Sequence, residues 1–306
     1  MRLLLVVNSY ASSVTARSRV VIQKALSADH EVTAVETSRR GHATRFAQDA
    51  ATRGLDAVIV LGGDGTLNEA ANGLIGSATA LAPLPGGSTN VFARTIGYPN
   101  DPVEATGVLV DSLARGQLER IGVGLVNGRA FLFHTGIGFD AAVVREVERR
   151  GGLKRWAGHP LFIWAALQTW GRQRRRPGSG FTVEFANGDR IERSPFAICL
   201  NTNPYTYLGN RPFDIAQEAT LDRGLVMVTF RKLSASAVGR AGFAALRSKP
   251  LPTSRAFEKR IDLTSMVVSA SAPFPYQVDG DYLGEIDRLE LAHRPDALTI
   301  IRGSTT

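Results

Sequence analysis

Two stretches of this 306-residue chain carry residues whose types and spacing suit phosphate chemistry. In "AVIVLGGDGTLNEAANGL" (57–74) an apolar run ends on Gly62 and Gly63. Asp64 then stands between glycines 63 and 65, and a helical pattern follows at once. Glycine lets backbone approach a phosphate without a Cβ clash, and the N–H groups at a helix start favour an anion. Asp64 repels a phosphate directly. Beside one it acts through a bridging Mg²⁺ or through hydrogen bonds to nucleotide hydroxyls. Thr66 followed three residues later by Glu69 has capping-box spacing and predicts the helix start at Thr66. A tight capped turn needs about one glycine, so three around one acid favour a nucleotide site.

The second stretch, "PLPGGSTNVFART" (83–95), repeats the pattern of strand, glycines, hydroxyls and helix. Ser88 or Thr89 either caps that helix or donates to a phosphate oxygen. Taken alone, the stretch is better explained by an ordinary capped turn. Lying one βα unit after Gly63, it shares the same sheet edge. A third candidate, Asp281 in "VDGDYL" (278–283), could serve as a general base, although spacing alone favours an Asp-Gly-Asp hairpin turn. No G-x-x-x-x-G-K-[ST] element is present, which disfavours a Walker-type NTPase. "GVGLVNG" (122–128) has the wrong spacing for a dinucleotide fingerprint. The five histidines show no paired metal-ligand spacing.

The elements that must position these residues are legible from periodicity. Strands are predicted at 3–8, 31–36, 57–62 and 79–85, with helices at 15–28, 42–54 and 66–76 between them. Such βα repetition implies a largely parallel sheet with helices on both faces. After about residue 120 the chain becomes strand-rich. Asn187-Gly188 marks a hairpin there, and helices are predicted near 139–150, 154–173 and 234–248. The expected organisation is an α/β domain over 1–120 and a β-sandwich-type domain over 121–306, the C-terminal segment being free to return to the first.

The single cysteine, Cys199, excludes an internal disulfide and fits a reducing, cytoplasmic setting. No apolar run is long enough to span a bilayer. A net charge of +8 favours anionic partners. No base-reading motif accompanies it, so nucleic acid is not the expected partner. The charge is concentrated: residues 149–182 hold eight Lys/Arg and no acid. Within 149–176, Trp156, Trp164 and Trp170 flank a helical pattern with basic ends. That pattern suits either transient contact with an anionic membrane surface or an amphipathic helix packed on its own domain.

"GGDGTLNEAANGL", "PLPGGSTNVFAR", "GIGFDA" (136–141) and "QVDGD" (277–281), in this order, resemble the diacylglycerol kinase catalytic family, which includes bacterial soluble lipid kinases and sphingosine kinases. The resemblance implies an N-terminal domain like those of NAD kinases and phosphofructokinases, a β-sandwich domain after it, and transfer of phosphate from ATP with Mg²⁺ to a lipid hydroxyl. It places Asn8, Ser9, Tyr10, Ala11 and Ser12 in a first nucleotide loop and Thr37 in a second contact. Gly62, Gly63, Asp64, Gly65, Thr66, Leu67, Asn68 and Glu69 form the central loop, and Ser88 and Thr89 lie near the phosphates. Asp64 and Asp281 are the catalytic carboxylates, Asp281 taking the place of a general base.

The departures from the family pattern are specific. "NSYAS" (8–12) lacks the usual proline and glycine, Val91 replaces an acid, and Asp281 stands where a glutamate is usual. Bacterial relatives also hold a structural Mg²⁺ near a D-G-L segment. Here Arg223 occupies its acidic position, which leaves Asp222 as the candidate ligand. Two further readings stay open: a soluble NAD-kinase-like enzyme, or a nucleotide- or lipid-binding relative without catalysis.

Overall fold

The computed structural model describes residues 1–139, 141, 142, 145, 180–232, 234–251 and 255–303. The basic-aromatic segment 149–176, the predicted helix 154–173 and most of that at 139–150 lie outside them. The chain divides into two compact units. Met1–Val123 with the chain from Pro295 onward forms one, and Gly124–Arg294 the other.

In the first unit the order is β1 (Arg2–Val7), α1 (Ala16–Ser27), β2 (Glu31–Glu36), α2 (His42–Thr52), β3 (Ala57–Gly62), α3 (Asp64–Leu74), β4 (Ala80–Pro85), α4 (Val91–Thr95) and α5 (Pro102–Ala114). The sheet runs β2–β1–β3–β4, all parallel, and Ile300 of the returning chain pairs in parallel with Leu81. Every residue of β3 and β4 is buried, as a two-sided parallel core requires. Thr15 and Ser18 form a reciprocal capping box at the start of α1. At α5 the Asp101 carboxylate accepts from the amides of Val103 and Glu104, and Pro102 follows it. The Tyr98 hydroxyl donates to Ile301 O at 3.0 Å and ties the returning strand in place.

The second unit is antiparallel. Its strands are β6 (Arg129–Phe131), β7 (His134–Gly138), β8 (Phe181–Phe185), β9 (Arg190–Ser194), β10 (Phe196–Leu200), β11 (Thr206–Leu208), β12 (Arg211–Phe213), β13 (Leu225–Phe230), β14 (Phe257–Leu263) and β15 (Ser265–Val278). Helix α6 (Ala235–Leu246) precedes β14. Strands β5 (Leu118–Val126) and β16 (Asp281–Ile301) carry the chain between the units. The order β14–β13–β10–β7–β15 has apolar clusters on both faces. Ala197, Cys199, Leu225 and Met227 pack with β8, β9, β15 and β16 residues on one side. Phe196, Ile198, Val226, Val228 and Phe230 pack with Ala241 of α6 on the other. Two buried faces explain why "PFAICL" and "GLVMVTF" are apolar without alternation. Strand β15 pairs with β8 at one end and β7 at the other, with a register shift between, so it turns the corner of the sandwich. The 187–188 hairpin forms between β8 and β9 with Gly188 at φ 86°.

Candidate functional site

All the nucleotide-loop residues nominated in the first unit, Leu67, Asn68 and Glu69 apart, lie at or just past the carboxyl ends of four parallel strands, where open α/β sheets take ligands. Three of these loops are bonded to one another. The Asn8 side-chain amide donates to Thr66 Oγ1 at 2.9 Å, and Asn8 N donates to Leu61 O. Ser13 N donates to Gly86 O, and Gly86 N donates to Gly62 O at 2.8 Å. Asn90, at φ 50°, accepts from Gly87 N and donates back to Gly87 O.

The glycine doublets have a packing reason of their own. A Cβ on Gly86 would lie 2.9 Å from Gly62 Cα and 2.8 Å from Val14 Cγ2. One on Gly87 would lie 2.8 Å from Gly63 Cα. The two loops touch backbone to backbone, so part of the glycine signal comes from loop–loop contact. At Gly63 the crowding is milder, with the nearest atom 3.4 Å away.

Helix α3 starts at Asp64, not Thr66. Gly63 is its N-cap, without a side-chain cap bond. The Thr66–Glu69 capping box therefore does not form, because Thr66 already sits in the first turn and its hydroxyl receives Asn8. The first ladder bond runs from Leu67 N to Gly63 O, so earlier amides lie outside the helix's own ladder. Ser88 and Thr89 do not cap α4 either. Its N-cap is Asn90, and the Asp64 carboxylate accepts from Val91 N at 3.0 Å and Phe92 N at 3.2 Å. The acid of one glycine loop thus caps the helix of the next.

Gly63, Asp64, Gly65 and Thr66 are partly exposed, and Ser9, Tyr10, Ser12 and Ser88 are exposed. Leu67 and Asn68 are buried, and Asn68 Oδ1 accepts from the Asn72 side chain. Glu69 is half-buried, and its carbonyl accepts from Thr44 Oγ1. Thr37 is buried and donates its N–H to Val7 O. At the same edge Glu36 accepts from the Ser9 hydroxyl and pairs with Arg19, which together hold its carboxyl below the usual carboxylate range.

In the second unit Asp281 is the first residue of β16. It faces Val278 across a two-residue hairpin made of Asp279 and Gly280, at φ 47° and 81°. Both positive angles fit the inward-twisting turn that Asp-Gly favours. The half-buried Asp281 carboxylate has no hydrogen-bond or ion-pair partner among the described residues. Asp279 is the acid that sequence reasoning overlooked. It is buried, and its carboxylate accepts from Leu132 N at 2.7 Å, Phe133 N at 3.0 Å and His134 N at 3.1 Å. The only local signal for it is the Asp-Gly turn itself.

Asp222 is exposed and lines a cleft of about 340 Å³ with Glu218, Arg223, Asp262 and His293. One Asp262 oxygen already accepts from Gly224 N. Among the described residues no three His, Cys, Asp or Glu side chains are grouped to hold a metal ion. Arg223 also lines this cleft, so the donor set around Asp222 does not fit a divalent cation.

The diacylglycerol kinase catalytic domain family matches residues 2–126. Over 115 residues the chain is 38% identical to the diacylglycerol kinase of Bacillus subtilis, covering 37% of each chain. Over 177 residues it is 32% identical to the Chromohalobacter salexigens protein named "Probable lipid kinase YegS-like", covering 56% of this chain and 54% of that one. The matched stretches thus span between about a third and about a half of these relatives' lengths. A crystal structure of a diacylglycerol kinase from Bacillus anthracis str. Sterne superposes with a TM-score of 0.72 at 20% identity, covering 99% of this chain and 97% of that one. At that identity the likeness establishes the fold.

Proposed function

We propose, from the premise that residues 2–126 belong to the diacylglycerol kinase catalytic domain family, that this protein phosphorylates a lipid hydroxyl with ATP, the acceptor being diacylglycerol or a related lipid. The observation that carries the proposal is the bonded trio of loops at one sheet edge, which falls wholly within the matched residues.

Phosphoryl transfer asks a protein mainly to position groups and neutralise charge. The first-turn amides of α3 and the Ser88 hydroxyl would hold the nucleotide phosphates. Asn8, Ser9, Tyr10, Ala11, Ser12 and Thr37 would line the rest of the nucleotide. Bound Mg²⁺ would supply charge neutralisation. Asp64 positions: its bonds to Val91 and Phe92 fix the spacing of the two glycine loops, and its charge favours the accompanying cation. Asp281 would accept the proton of the acceptor hydroxyl.

Labelled ATP offered with Mg²⁺ to diacylglycerol micelles, a lipid extract and NAD tests this reading. Label is expected in lipid, and Asp281→Ala is expected to lose about a hundredfold or more of the rate. Label in NAD alone, or an Asp281→Ala variant as fast as the unmodified chain, would overturn it.

A further inference from the structure

Helix α6 presents an outer face that neither the fold nor the proposed chemistry uses. Its inner side is firmly docked. Ala241 lies in the apolar cluster over β10 and β13, and Ala245 O accepts from Asp214 N at 3.0 Å. The helix ends in a Schellman-type arrangement: Lys249 N donates to Ala244 O and Ser248 N to Ala245 O, with Ser248 at φ 49°. On the other side Phe243 is 57% exposed and Leu246 45% exposed. Arg240, Phe243 and Arg247 follow at helical spacing on one stripe, and the Arg247 guanidinium lies 4.1 Å from the Phe243 ring centroid. Lys249 follows at the exposed end.

Charge decides what would cover this face. Residues 231–257 contain six Lys/Arg and no Asp or Glu; Arg231 is ion-paired with Glu258, so the charge of this face comes from Arg240, Arg247 and Lys249. An acid-free basic stripe around an apolar centre matches a surface with dense negative charge outside and hydrocarbon beneath. Nucleic acid would match the charge but leave Phe243 and Leu246 unused. We propose that α6 is a docking element for an anionic lipid surface, Phe243 and Leu246 entering the acyl boundary while Arg240, Arg247 and Lys249 reach the phosphates. The inference does not rest on the kinase reading. Binding to vesicles needs neither nucleotide nor acceptor, so either idea can fail alone.

The test is sedimentation of the full chain with vesicles of phosphatidylcholine plus phosphatidylglycerol, or of phosphatidylcholine alone, without ATP. All variants retain segment 149–176, so its contribution is common to each. The unmodified chain is expected to pellet with the anionic vesicles and much less with the neutral ones. Arg240→Gln with Arg247→Gln should weaken binding about 25-fold, at about fivefold per charge, and only at low salt. Phe243→Ser with Leu246→Ser should weaken it about tenfold at any salt. These side chains point away from the core, so unchanged melting temperatures are expected of both pairs. Wild-type binding by both pairs would overturn the proposal. So would a lipid-free dimer that Phe243→Ser dissolves, because the occupant would then be a second copy.

Discussion

Asp64 Oδ2 accepts the Val91 amide at 3.0 Å, across 27 positions of sequence, and so fastens one glycine-rich loop to the next. The acid between the glycines is therefore structural before any nucleotide arrives. Asp64→Ala is expected to cost about 2 kcal/mol of stability without ligand, the usual effect of losing hydrogen bonds to a charged group. It should also abolish the rise in melting temperature that ATP and Mg²⁺ produce. Asp64→Asn keeps one acceptor oxygen and should cost less. Denaturant titration of the apo protein checks both, and no loss in either variant would detach Asp64 from loop positioning.

The glycines separate packing from ligand approach. Gly86→Ala drives a Cβ to within 2.9 Å of Gly62 Cα, so a loss of about 1–3 kcal/mol is expected in the apo protein. Gly63→Ala meets its nearest neighbour at 3.4 Å with φ −88°, a conformation any residue adopts. Its apo stability should stay within about 0.5 kcal/mol of the parent. Nucleotide binding is where it should fail, since the added methyl sits at the start of α3. Equal ATP-induced stabilisation in Gly63→Ala and the parent would remove the phosphates from this edge.

The contrast between Asp279 and Asp281 makes a second matched pair. Asp279 satisfies three buried amides of the 132–134 segment. Asp279→Ala strands them and should cost about 3 kcal/mol or more. Asp281→Asn disturbs no bond among the described residues and should leave stability within about 0.5 kcal/mol while removing transfer. If Asp281→Asn unfolds as readily as Asp279→Ala, the hairpin acid is structural and the base lies elsewhere.

Much of the first unit is legible because its signals are local. The strand predicted at 57–62 is β3 residue for residue, and the helix predicted from residue 42 begins there. The miss at α3 is also local: Gly63 takes the N-cap, which moves the start two residues ahead of the Thr66 pattern. Helix α5 went unread although Asp101-Pro102 marks its start. What no window could show are bonds between distant positions. The cap of α4 comes from Asp64, and the amides that hold Asp279 lie at least 145 residues away along the chain. Glycine doublets read as a phosphate signal are partly a loop-contact signal, because Gly86 and Gly87 pack backbone to backbone against Gly62 and Gly63 across more than twenty positions of sequence.

His134 gives the fold a pH dependence whose sign follows from burial. The ring is 4% exposed and lies 4.2 Å from Tyr205 centroid to centroid, and Nδ1 has no hydrogen-bond partner. Burial pushes its pKa down from 6.5 to about 3. The unfolded chain therefore binds a proton between those values and the folded chain does not. The contribution is complete above about pH 6.5 and is lost as pH falls below it. By pH 5 about 2 kcal/mol should have gone. In His134→Phe the aromatic contact persists and the titration does not, so its stability between pH 7 and pH 5 should fall less steeply by that amount. Parallel slopes for the two proteins would show that His134 accepts its proton in the folded state, against the burial observed.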